Sequence, residues 1–371
     1  MVDAAVIAAA RRHHLAQAMA DEDVDLLLVY GNAWQGDYLR YASDYGILEG
    51  EGIVIVGRDG QTTLFLDSPL EAERAQAETQ TIAVCYAPDM LADVESVLEQ
   101  AGNRKLASAP KRLIPHRLAR RSKDLGVGDR TAMMDRLLMK KLECELAAIR
   151  AAGHLADEGY AVFRNAARAG RADYELVAEV EAFFRSRGVD DNFMIMGVGG
   201  KEVRGMAPPM GRKLRRGDMV TTELTPCVNG YYIQICRTLV VGEPSAEQRD
   251  AFAVYRDALE AGVAAVRPGV TAADIARAEN EVFRTHGLGE YVTDAYTRVR
   301  GHGLGLFVDT KPHILETVNT KIEAGMTVIV HPNTYHPEVG YMVLGDALIV
   351  TDEGAEVLIK TPRELFAAPV N

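Results

Sequence analysis

The chain has 371 residues, 48% hydrophobic, 25% charged and 6% aromatic, which suits a globular chain of two domains rather than one. Lys plus Arg number 41 and Asp plus Glu 53; the balance of −12 argues against a nucleic-acid partner or an anionic membrane surface. Four cysteines without a CxxC pair point to a reducing cytoplasm. No apolar run reaches the ~18 residues of a membrane span, and the first residues lack a signal-peptide pattern.

The first part alternates helix and strand. An amphipathic helix over Ala5–Ala20 precedes Asp25–Tyr30, a continuous apolar run with the character of a buried strand. Strands at Gly52–Gly57 and Thr62–Asp67 flank an Arg58-Asp59-Gly60 turn. A helix from Pro69, a strand at Ile82–Ala87, a helix from Pro88 and a strand near Lys105–Ala109 follow. This order predicts a mixed sheet covered by helices. The basic stretch within Ile114–Leu138 (RLARRSKD) reads as irregular and as a domain boundary, giving domains 1–137 and 138–371.

From Lys140 onward, Leu142, Leu146, Ile149, Ala156, Tyr160 and Phe163 fall at helical spacing. After Gly170 a second helix carries Leu176, Val180 and Phe183, then comes a strand at Phe193–Val198 and a Gly/Pro-rich loop. The arrangement then recurs. Ser245 with Gln248, and Thr271 with Asp274, form capping boxes for two more helices, the second placing Ile275, Ala278 and Val282 inward and ending at Gly287. Strands are expected at Gly303–Asp309, Met326–His331 and Tyr341–Val350. Two units of helix, helix and antiparallel strands imply a pseudo-twofold α+β domain, with helices outside and the inner sheet face as the pocket.

Thr221–Thr238 (TTELTPCVNGYYIQICRT) has Asn229-Gly230 at its centre, the dipeptide of a type I′ hairpin. Residues two apart share a face, so Glu223 and Gln234 project together. A buried acid beside a buried amide is costly unless a ligand, metal or network satisfies both. As an edge hairpin, the same residues would simply face solvent.

Four stretches resemble one family. They are Gly217–Ser245, Gly301–Pro312 (GHGLGLFVDTKP), Gly325–Tyr335 (GMTVIVHPNTY) and Gly345–Gly354 (GDALIVTDEG). Together they are similar to the pita-bread proteins: creatinase, prolidase, Xaa-Pro aminopeptidase and methionine aminopeptidase. Lys140, Lys141 and Glu143 suit the start of the long helix in the prolidase branch. The resemblance implies a C-terminal pita-bread fold with a smaller α/β creatinase-type N-terminal domain.

Family peptidases hold two metal ions with five ligands: two Asp on the hairpin, one His and two Glu. By this resemblance the positions fall here on Glu223, Gln234, His302, His331 and Gly345. The family's accessory histidines fall on Met206, Asp309 and Arg298. Three of five ligand positions lack a carboxylate they would otherwise carry, which speaks against a two-metal peptidase. The expectation is therefore a metal-independent, creatinase-like hydrolase of a C–N bond in a small polar nitrogen compound. Glu223 and His331 would serve as base and acid, with His302 and Gln234 positioning substrate or donating to the oxyanion. Arg298, Asp309, His313 and Tyr231 complete the substrate-binding candidates. Arg237 reads as structural, although it too could reach a substrate carboxylate.

Each of these side chains also has a bland role. His302 could cap the sheet, His331 could fill space, and Glu223 could be salt-bridged to Arg237 or Arg298. Cys227 and Cys236 read as buried thiols, and Trp34 as a lid contact or packing. The expected cofactor is none. One alternative is a single Zn or Fe ion on Glu223, His302 and His331; another is a catalytically inactive binding scaffold. The expected partners are a small molecule and a second copy of the chain in a homodimer.

Overall fold

Leu26–Asn32 is the pivot of the first sheet, antiparallel to Glu51–Gly57 and parallel to Leu106–Ala109. In the computed structural model, which describes residues 4–79 and 81–370, six strands form this sheet. Thr62–Leu66 and Ala83–Tyr86 extend it on one side and Gly128–Asp129 on the other. Leu28, Ile53 and Ile55 pack against Val94 and Leu98 of the helix Met90–Gln100. Burying one such aliphatic side chain contributes roughly 1.5–3 kcal/mol. This unit ends at Leu138, and the second begins at Met139.

The basic stretch is not irregular. His116–Asp124 is a helix with Leu118 and Ser122 buried, and Thr131–Met139 is another. Its arginines lie on a solvated face and pair with the preceding helix: Arg117 meets Asp89 and Glu95 at 3.1 and 3.0 Å, and Arg121 meets Glu99. The charge run is one face of a helix and not irregular chain, while the division between the units falls at the end of this stretch.

In the second unit the helices Glu143–Ala166 and Asp173–Ser186 are answered by Ala246–Ala265 and Ala272–Thr285. Both capping boxes form: Ser245 Oγ accepts from the Gln248 N–H and Thr271 Oγ1 from that of Asp274, each at 3.2 Å. Such caps contribute about 1 kcal/mol each. Two inward faces differ from expectation. Phe184, not Phe183, is buried. In the last helix the buried set includes Glu279, Asn280 and Phe283, while Ala278 and Val282 are only half-buried.

The main sheet of this unit runs Gly301–Gly303, Thr327–Val330, Gly345–Val350, Ile235–Val241, Met219–Val228, Asp191–Gly199, with three short strands at its flanks. Of the expected Gly303–Asp309 strand only Gly303 lies in a strand, the last residue of Gly301–Gly303. Beyond it Gly305 lies against Lys141, whose Cε is 2.9 Å from where a Cβ would sit, so the glycine serves a close approach and not a ladder. The expected strand Tyr341–Val350 is divided at Leu344 into Gly340–Val343, which pairs with Asn333–His336, and Gly345–Val350, which joins the main sheet. No helix of the described residues is long and apolar enough to cross a membrane.

Candidate active site

The hairpin turns where its dipeptide requires: Asn229 and Gly230 have φ of 50° and 80°. Its register sets Glu223 opposite Cys236 and Cys227 opposite Tyr232. Gln234 shares the Glu223 face and donates through Nε2 to Glu223 Oε2 at 3.0 Å. Gln234 Oε1 is buried with no hydrogen-bond partner. An unpaired buried acceptor costs about 1–3 kcal/mol unless a ligand supplies a donor.

His302 lies on Gly301–Gly303, and His331 follows directly on the end of its neighbour Thr327–Val330. Gly301 is registered with Val330, which places His302 and His331 side by side, ring centroids 5.3 Å apart and edge to face. His302 Nδ1 lies 2.9 Å from the Gly303 carbonyl, and Asn333 Nδ2 lies 3.0 Å from His331 Nδ1. Glu223, Gln234, His302 and His331 all line one cavity of about 490 Å³, and Met206, Thr297, Arg298, Asp309 and Asn333 line it with them. That volume lies within the range of small-molecule sites.

Burial pushes the Glu223 carboxyl up to about 7, against the Cys236 thiol, Arg298 and Gln234, which pull it down. Burial likewise pushes His331 down to about 3, and lowers His302 despite the nearby Asp309. For Asp309 burial is outweighed by the His313 hydrogen bond and by the Arg298 guanidinium, so its carboxyl is held below the usual carboxylate range. The floor is thus neutral imidazole and a titrating acid, with a firm Asp309–Arg298 ion pair at the rim.

Most of the expected residues converge. Glu223, Gln234, His302, His331, Arg298 and Asp309 reach the cavity. His313 does not line it; its Nε2 is bonded to Asp309 Oδ1 at 2.9 Å. Tyr231 is a correction: it is buried away from the cavity, its hydroxyl donating to Glu145 Oε1 at 2.8 Å. Arg237 is structural. It is fully buried and bonded to Asp346 Oδ1 and the Gly345 carbonyl, each at 2.8 Å. Glu223 pairs with neither Arg237 nor Arg298, because Asp346 and Asp309 take those partners. Trp34 lies in the first unit and is 84% exposed. Asn333 was missed, although the motif VHPN placed a second amide two residues from His331. Cys236 was read as a buried thiol, and its position opposite Glu223 could have been counted from the turn.

A larger cavity of about 870 Å³ in the first unit is lined by Asp25, Arg58 and Arg104. Arg58 is paired with Asp23 and Asp25, and no acid–imidazole group faces that space.

An α+β domain with paired helices over an antiparallel sheet, preceded by a small mixed-sheet unit, defines a pita-bread protein with a creatinase-type N-terminal domain. The chain belongs to metallopeptidase family M24: that family's profile matches residues 147–352, more than half of the chain, and the creatinase/prolidase N-terminal domain matches 11–139. The Xaa-Pro dipeptidase of Pyrococcus furiosus is 29% identical over 235 residues, 62% of this chain and 65% of that protein. The probable dipeptidase PepE of Mycobacterium tuberculosis is 31% identical over 246 residues, 65% of this chain and 64% of its own length. The chain thus matches a little under two thirds of these curated relatives. Among solved structures, dipeptidase PepE from Mycobacterium ulcerans superposes with a TM-score of 0.80 at 26% identity, covering 99% of both chains. X-Pro aminopeptidase from Thermotoga maritima superposes at 0.85 with 21% identity, over 96% of this chain and 99% of its own, a likeness of fold alone.

These relatives correct two expectations. A metal-independent, creatinase-like hydrolase is not what they support, because they are named dipeptidases of a metallopeptidase family. The expectation of no cofactor falls with it, since metal chemistry is the family's rule. The single-ion and inactive-scaffold alternatives gain nothing from the same names.

The residues present do not fit a pair of ions. The five positions hold one carboxylate, one amide, two imidazoles and a glycine. At Gly345 an added Cβ would stand 2.6 Å from His331 Cβ and 3.2 Å from Cys236 Cβ, so a fifth ligand has no room beside His331. Among the described residues, no group of three or more His, Cys, Asp and Glu side chains is placed to hold a metal ion.

Proposed function

We propose that this cavity is the active site of a hydrolase that breaks the C–N bond of a small, dipeptide-sized amide, and that the chain is not a two-metal peptidase of the family's usual kind. The observation that carries the reading is the meeting of Glu223, Gln234, His302 and His331 in one cavity of about 490 Å³, with Gln234 Oε1 left unpaired. The names of the relatives, Xaa-Pro dipeptidases and PepE dipeptidases, support a peptide C–N bond as the target.

Each group has work suited to its state. Glu223, near neutrality in its proton affinity, takes a proton from attacking water and can return it. His302 and His331, both kept neutral by burial, orient the amide. The unpaired Gln234 oxygen accepts from a substrate N–H. Arg298, held by Asp309 and 66% exposed at its side chain, meets a substrate carboxylate. We propose further that the protein acts as a homodimer in the cytoplasm, which sedimentation and fractionation test.

The decisive assay offers Xaa-Pro and other dipeptides to the purified chain, with and without added Mn²⁺, Zn²⁺ or Co²⁺. Turnover is expected, with a loss of about 10²-fold or more in Glu223→Gln, the scale of a general base. No turnover of any dipeptide with any ion sinks the proposal.

A further inference from the structure

We infer that Asn333 is a positioning residue that fixes His331 as a hydrogen-bond donor toward the cavity, opposite in polarity to His302. The inference rests on the cavity being the substrate site, and deepens that reading by naming the face an amide would meet.

The argument begins with what each partner is able to do. An amide NH₂ only donates, and Asn333 Nδ2 lies 3.0 Å from His331 Nδ1. Nδ1 must therefore be the acceptor, and in a neutral ring the proton lies on Nε2. A carbonyl only accepts, and Gly303 O lies 2.9 Å from His302 Nδ1. His302 therefore carries its proton on Nδ1 and keeps its Nε2 lone pair. Both rings line the cavity and both have committed Nδ1 to the protein. One offers an N–H and its neighbour a lone pair, on rings 5.3 Å apart.

The orientation of Asn333 is itself held. Its Oδ1 faces the Thr297 hydroxyl, whose one proton is shared with the Val299 carbonyl at 3.1 Å, and its NH₂ is turned to His331. Its main-chain carbonyl accepts from Arg300 Nη1, and the Arg300 carbonyl accepts from the His331 N–H at 2.9 Å. Arg300 is buried and donates to Asn280 Oδ1. Thr297, Arg300 and Asn333 thus form one frame behind His331. Burial keeps the ring neutral, so that the tautomer and not the charge decides its role.

The consequence is a pair of groups complementary to a planar amide: the His331 N–H meets a carbonyl oxygen, and the His302 lone pair meets an N–H or a water proton. In this tautomer the one imidazole lone pair of His331 is on Nδ1 and is engaged by Asn333, so the ring turns an N–H and not a lone pair to the cavity. Where the family carries a carboxylate, this chain carries a donor.

The test is the ¹⁵N spectrum of histidine-labelled full-length protein at neutral pH, with His302 and His331 assigned from His302→Gln and His331→Gln. His331 is expected to show a pyrrole-type Nε2 and a pyridine-type Nδ1, and His302 the reverse. Asn333→Asp replaces the donor by an acceptor and should draw the His331 proton to Nδ1, exchanging its two shifts while those of His302 stay. A wild-type His331 protonated on Nδ1 overturns the proposal. So does an unchanged His331 spectrum in an Asn333→Asp chain with native circular dichroism. If Asn333→Asp does not fold, the wild-type spectrum still decides. The readout needs no turnover: the expected tautomers with no dipeptidase activity would refute the proposed function alone.

Discussion

Glu223 is a carboxyl group that the fold has made ready to hold a proton. Its affinity rises from 4.5 to about 7, with burial as the largest cause. The folded state then binds the proton more tightly than the unfolded chain. Its contribution to stability is complete below pH 4.5 and is lost as pH rises through about 7. The full swing is about 3 kcal/mol, at roughly 1.4 kcal/mol per pH unit. His331 works in the other direction: its affinity falls from 6.5 to about 3, so its contribution is present above pH 6.5 and lost as pH drops toward 3. Urea unfolding of Glu223→Gln across this range should therefore remove the decline on the alkaline side and keep the one on the acid side. An alkaline limb identical to wild type would show that Glu223 is already ionised in the folded protein. None of this was visible in the sequence beyond the pairing of an acid with an amide. Spacing placed the two on one face, but proton affinity depends on burial by strands far away in the chain.

Elements were legible where local chemistry left one choice. Asn229-Gly230 gave the turn, and alternation gave the face of each hairpin residue. Ser245 and Thr271 gave the helix starts. The reading failed where a tertiary partner decided. Arg117 and Arg121 belong to a helix because Asp89, Glu95 and Glu99 lie across from it. Glu279 faces inward, where burial pushes its carboxyl well up and nothing in its local spacing announces the position. Two predictions belong to this scale. Asp346 is buried between Arg237 and Arg363, at 2.8 and 2.7 Å. Asp346→Ala leaves a fully buried guanidinium unpaired and is expected to cost about 3–5 kcal/mol in urea unfolding; a loss near zero would mean the arginines find water. Gly345 packs against the base of His331, so Gly345→Ala should cost about 1–3 kcal/mol through overpacking. His331→Gly in the same chain removes the clashing Cβ, and the two effects should be strongly non-additive. Simple additivity would show that the strands had moved apart instead.

Across the whole molecule, the family's fold is kept, and by the proposed reading its ligand set is not. Both family profiles match in order, and solved relatives superpose over nearly the full chain. The fold is set by helix caps, sheet register and core burial, none of which needs the site ligands. Arg237 illustrates the separation: it lies one residue from Cys236 yet serves the frame, through Asp346 and the carbonyls of Cys236, Gly345 and Thr361. Substitutions at Glu223, Gln234, His331 and Gly345 therefore change the chemistry of the floor without disturbing the frame. The sequence resemblance found the frame, but it went too far in reading the residues at the ligand positions as creatinase-like, metal-free chemistry. Ion stoichiometry is the measurement that belongs here. Calorimetric titration of the full chain with Mn²⁺ or Zn²⁺ is expected to saturate below two ions per chain. A variant carrying Glu223→Asp, Gln234→Asp and His331→Glu regains the family's donor at three positions and keeps His302 as a fourth. It should bind more ion than the native chain under the same conditions. Saturation of the native chain at two ions would mean that an amide and a glycine are no obstacle, and that the site is the family's ordinary one.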